Sequence, residues 1–159
     1  MNNNNELLTA LNALLAEKLT AINQFMVHSE MCDNLGYHNL HKTIQNLATD
    51  QMILAEWLIE RISFLEGSLT LPSLQTFMIE KTITEMVSTK TGREPGALHK
   101  YAKAIELARL ANDYATSDLL NNMLQKDNGQ LDWAELQRIQ IEEKGLKNYL
   151  IAQAEYMVN

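Results

Sequence analysis

The chain has one cysteine, two prolines and six glycines in 159 residues. The single cysteine, Cys32, excludes a disulfide framework within the chain and fits a reducing compartment. On an apolar helix face it reads as a small buried hydrophobe. Few prolines and glycines leave few points at which a helix would break. No apolar run approaches the length of a membrane span. Basic residues are outnumbered, 13 Lys and Arg against 20 Asp and Glu, for a net charge of −7. That balance argues against a nucleic-acid partner and suits a protein that attracts cations. The opening residues, Met1 to Asn5, are polar and uncharged and have neither the basic nor the apolar region of a secretory leader. The chain is therefore expected to remain cytoplasmic, with no membrane partner.

What the sequence has in abundance is apolar periodicity at helical spacing. Leu7, Leu8, Leu11, Leu14, Leu15, Ile22 and Phe25 form one stripe, and Ile44, Leu47, Leu54, Leu58, Ile62 and Leu65 a second. Ile79, Ile83, Met86 and Val87 open a third, which resumes at Ile105, Leu107 and Leu110. Leu119, Leu120, Met123, Leu124, Leu131 and Leu136 make a fourth. Gly36 and Gly67 are placed to end the first two helices, and Asn112-Asp113 marks a short turn. The aperiodic stretch Ser68 to Met78 is long enough to cross the bundle, so that helix three runs parallel to helix two. The predicted fold is all-α: one domain over 1–159, a four-helix bundle with a long crossover between its second and third helices and a short fifth helix. Its helices are expected at roughly 5–34, 38–66, 80–111, 113–143 and 146–156, with a kink near 92–96 where Gly92, Pro95 and Gly96 cluster.

The segments Leu14 to Gln24, Ala55 to Gly67, Asp127 to Trp133 and Lys144 to Gln153 resemble, in order and spacing, those of bacterioferritin, the haem-carrying branch of the ferritins. Di-iron bundles place a Glu on each of two helices and a Glu-x-x-His pair on each of the other two. Here none of the four histidines, His28, His38, His41 and His99, has a glutamate three residues before it. Carried over residue by residue, the resemblance puts Lys18, Gln51, Leu54, Glu94, Asp127 and Gln130 on the ligand positions. No ligand set is intact, both imidazoles are gone, and an ammonium stands where a carboxylate should. Phe25 replaces the redox-active tyrosine of the first helix, and Trp133 is retained.

The haem position survives better. Met52 falls on the axial ligand that the family contributes from each side of a two-fold axis, and Leu19, Ile22, Asn23 and Met26 would line the pocket. Ile53 stands where a lysine often contacts the haem propionates. Asn34, Glu66 and Asp132 match pore residues of the family's cage. Asp50 matches part of an inner-surface iron site whose histidine partner is here Asn46. Leu69, Phe77 and Glu85 lie where a small iron–sulfur ferredoxin docks, with Ser68 and Lys81 departing from the usual residues there.

The resemblance thus implies an iron-storage subunit with haem b at a two-fold dimer interface, iron mineral in the cage interior and no ferroxidase centre of its own. Such a subunit would work in a twenty-four-subunit cage mixed with a related, ferroxidase-competent chain. Two readings compete: a ferroxidase that makes do with Glu94, Asp127 and Gln51, and a haem-binding or electron-transfer shell unrelated to mineral. A DNA-protecting mini-ferritin is disfavoured by the acidic charge and the fifth-helix segment.

Overall fold

The computed structural model describes residues 2–69, 82–88 and 95–154. Its elements are α1 (Asn2–Asn34), α2 (His38–Phe64), α3 (Ile83–Ser88), α4 (Pro95–Leu110), α5 (Tyr114–Lys144) and α6 (Leu146–Ala154). Among the described residues there is no strand.

Three helix ends use one device. After α1, Gly36 takes a φ of 86°, its N–H donates to Asp33 O, and the Tyr37 N–H reaches back to Cys32 O. After α2 the left-handed residue is Glu66, with φ 59°, and the Gly67 N–H donates to Ile62 O. After α4 it is Asn112, with φ 56°, and the Asp113 N–H donates to Ala108 O. Each arrangement satisfies carbonyls that the last helical turn leaves open. The expectation that Gly67 ends α2 is thus corrected: Glu66 supplies the reversal. Gly67 is needed for space instead, since a Cβ there would stand 2.4 Å from a methyl of Leu8.

Helix starts are marked as clearly. Thr82 and Glu85 form a reciprocal box at α3: the Glu85 N–H donates to Thr82 Oγ1 at 3.2 Å and the Thr82 N–H to Glu85 Oε2 at 3.3 Å. Asp113 caps α5 by accepting from the Thr116 N–H at 3.0 Å. Arg61 near the end of α2 ties into the same cap, donating to Asp113 Oδ1 at 2.8 Å and Thr116 Oγ1 at 2.6 Å. Burial raises the Asp113 carboxyl, but the hydrogen bonds from Thr116 and the Arg61 guanidinium outweigh it and hold the group below the usual carboxylate range.

The core divides into two clusters along the bundle. One joins Leu7, Leu11, Leu14 and Leu15 with Leu54, Leu58 and Ile62, with Tyr101, Ala104 and Ala108, and with Leu120 and Met123. The other joins Phe25 and Cys32 with Leu40, Ile44 and Leu47, with Ile83, Met86 and Val87, and with Tyr149. The order of these residues fixes the directions. α1 runs from the first cluster to the second, α2 returns, α3 and α4 run the same way as α2, and α5 starts again at the first cluster. Consecutive parallel elements require a connection that travels the length of the bundle. The expected crossover, Ser68 to Met78, falls mostly outside the described residues; Ser68 and Leu69 are exposed. Each fully buried leucine contributes about 2 kcal/mol through removal from water.

The expected third helix, 80–111, is represented by α3 and α4, and residues 89–94 between them lie outside the described set. Pro95 opens α4, where its missing N–H is one that no helix uses. The first helix begins at Asn2, earlier than expected, and α2 ends at Phe64. Two stripe residues are corrected: Leu110 and Leu136 are exposed, at 58% and 50%.

Candidate functional site

Lys18 follows Leu11, Leu14 and Leu15 on the inward face of α1 and is itself only 6% exposed. Its ammonium bonds Asp127 Oδ2 on α5. Two further donors converge on that carboxylate. Gln51 Nε2, from α2, donates to Oδ1 at 2.8 Å, and the Tyr101 hydroxyl, from α4, donates to Oδ2 at 2.5 Å. The Lys18 Nζ also lies 5.2 Å from the centre of the Tyr101 ring. One carboxylate thus draws a donor from each of three other helices, and Leu54, fully buried, completes the apolar surroundings. A buried charge needs this pairing, because an unpaired one costs several kcal/mol. Burial, and then the negative charge of Asp127, push the Tyr101 phenol far above its usual range, so it stays a donor. Just outside, Lys100 bonds Glu17 at 2.6 Å across the exposed α1–α4 seam.

The structure therefore brings Lys18, Gln51, Leu54 and Asp127 together, while Glu94 lies outside the described residues. Gln130 faces a neighbouring cavity, lined with Phe25, His28, Leu47, Met86 and Trp133. Among the described residues no three His, Cys, Asp or Glu side chains converge as a metal site. Tyr101 was missed by sequence reasoning. Its sequence spacing of seven from Glu94, the period of two helical turns, was the signal that could have found it.

Of the predicted haem residues, Leu19 and Ile22 pack partly against the first core cluster, whereas Met26 and Met52 are exposed. Met52 is 39% exposed, Ile53 41% and Met26 49%; Leu19, Ile22 and Asn23 are half-buried. Residues 19, 22, 23 and 26 follow helical spacing along one face of α1, which packs against α2. Asn34, Glu66 and Asp132 are exposed, as are Asp50 and Asn46. Asn34 and Glu66 sit at opposite ends of the bundle, so one chain does not bring them together. Leu69 and Glu85 are exposed; Phe77 and Lys81 lie outside the described residues.

A sequence profile of the ferritin-like domain matches residues 8–143. The chain belongs to the bacterioferritin family. It is 32% identical over 147 residues to a bacterial ferritin of Synechocystis sp., covering 92% of this chain and 94% of that one. It is 30% identical to the bacterioferritins of Streptomyces coelicolor and Mycolicibacterium paratuberculosis, each covering 91% of this chain, with 87% and 91% of the relatives covered. Like the fold, this bacterioferritin similarity extends over nearly the whole chain. Among the described residues no helix is long and apolar enough to cross a membrane.

Proposed function

We propose that this chain is an iron-storage subunit of bacterioferritin type that bears haem, has no ferroxidase centre of its own, and works in a cage mixed with a ferroxidase-competent relative. The observation that supports the reading is the Lys18–Asp127 ion pair, on two positions that the resemblance assigns to the family's iron ligands. Asp127 is already occupied by an ammonium, an amide and a phenol. A ferrous ion arriving there would meet a positive charge and would have to displace three donors. The donor set does not fit a di-iron centre, and no oxidation step is assigned to it.

The residues for haem do fit. Two methionines and Ile53 stand exposed on the outer face of α1 and α2, an apolar surface that a second copy and a flat apolar ring would cover. Met52 offers a soft thioether for axial ligation, with Leu19, Ile22, Asn23 and Met26 around it. Haem there would supply one-electron chemistry between the outside and the stored iron. Asn34, Glu66 and Asp132 would line pores assembled from different subunits.

Oxygen uptake decides the reading. The purified homo-oligomer, given ferrous iron, is expected to consume oxygen no faster than a protein-free control, and the native mass of the assembly from its own source should reveal a second subunit and haem. Rapid oxygen uptake by the homo-oligomer alone overturns the assignment.

A further inference from the structure

His28 and Cys32 are four residues apart on α1, so they sit one above the other on a single face of that helix. Both are buried, with 2% and 0% exposure. Facing them from α3 is Met86, 6% exposed, whose Sδ lies 3.9 Å from Cys32 Sγ. His28 and Met86 both line the cavity described above, between the apolar walls of Phe25 and Trp133. The cluster is separate from the Lys18 pair: ten residues of helix, about 15 Å of rise, separate Lys18 from His28. Met86 therefore touches the Cys32 thiol on one side and shares a cavity wall with His28 on the other.

We propose that His28, Cys32 and Met86 form a binding site for one soft monovalent metal ion, with copper(I) as the occupant. Thiolate and thioether sulfurs select copper(I), and imidazole accompanies them readily. The spacing agrees. Two sulfurs each about 2.3 Å from a common ion, with about 120° between the bonds, stand about 4.0 Å apart. The two sulfurs here are already at that separation without any movement of α1 or α3.

Charge selects a monovalent ion over a divalent one. Burial pushes the Cys32 thiol up to about 11, so the metal-free protein keeps that proton. Binding exchanges the S–H bond for a sulfur–copper bond and releases the proton to solvent; no electron moves. One thiolate and one monovalent cation sum to zero, so the occupied site puts no net charge into the apolar core. A divalent ion would leave a positive charge there, at a large desolvation cost. Among the described residues no carboxylate joins His28 and Cys32 to offset it. Metal-ligating histidines generally hold one ring nitrogen in a hydrogen bond and bind the metal through the other. This inference is independent of the iron reading.

The test is an anaerobic titration of the native assembly with copper(I) against a chromogenic copper(I) chelator, followed by X-ray absorption at the copper edge. The expected result is one copper(I) per chain, with two sulfur neighbours and one nitrogen. Met86→Leu preserves core volume, so helical content and assembly should persist while affinity falls about 100-fold or more. Cys32→Ser should act in the same direction; if it fails to assemble, Met86→Leu decides. Failure to compete with the chelator, a spectrum with only nitrogen and oxygen neighbours, or unchanged affinity in Met86→Leu overturns the proposal.

Discussion

Lys18 and Asp127, 109 positions apart in the chain, are joined as an ion pair inside the bundle, with 7% and 18% of their side chains exposed. The pair links the first and last long helices at the level where α2 and α4 add Gln51 and Tyr101. Replacing Lys18 by Met leaves a carboxylate without its cation, and should destabilise the protein by about 3 kcal/mol. The double variant Lys18→Met with Asp127→Asn should recover part of that loss, because a neutral amide needs no cation and its carbonyl oxygen can still accept from Gln51 or Tyr101. Urea unfolding followed by helical circular dichroism measures both; equal losses in the single and double variants would show that the pair is not the cause.

Tyr101→Phe removes one donor and leaves the other two. The cost should be about 1–2 kcal/mol. The same denaturation experiment reads it, and a larger loss than in Lys18→Met would reverse the ranking of the two donors.

Asp113 gives a pH dependence. Its folded pKa is held low, so its stabilisation is complete above the unfolded value near 4 and fades as pH falls through the folded value. Asp113→Ala should cost about 1–2 kcal/mol at pH 7, through loss of the α5 cap and the Arg61 partner. The gap between variant and parent should narrow below about pH 4, as the parent's carboxyl takes up its proton. Parallel unfolding curves at pH 7 and pH 3 check the sign.

Glu66 holds a left-handed conformation that costs an ordinary side chain about 1 kcal/mol. Glu66→Gly should therefore raise stability by about that amount. Asn112→Gly should gain less, because Asn tolerates the same geometry better. Melting temperatures of the two variants test the order. Any loss in Glu66→Gly would mean that the carboxylate makes a contact worth more than the strain.

Met52 is exposed in the single chain, so its truncation should spare the helices. Met52→Ala is expected to abolish haem binding, read as loss of the haem absorption band per subunit with unchanged circular dichroism. Full haem content with an unaltered spectrum would remove Met52 from the site.

The sequence by itself determined the helices and the absence of any Glu-x-x-His pair. Periodicity is local: the residues that fill the core from Leu7 to Leu15 and from Leu54 to Ile62 repeat at the spacing of one helix face, so they could be read before any packing was known. The absence of Glu-x-x-His is likewise a fact of composition and spacing. Only the tertiary structure decided that Tyr101 joins Lys18 and Gln51 on the Asp127 carboxylate. Tyr101, Gln51 and Lys18 come from three helices, and nothing local says that their donors meet on one carboxylate. The same holds for Cys32 and Met86, brought to 3.9 Å from different helices by the packing of α3. The end of α2 shows the limit at short range. Gly67 looked like the terminator, but the left-handed residue is Glu66, while the Gly67 N–H closes the turn on Ile62 O and its missing Cβ leaves room for Leu8.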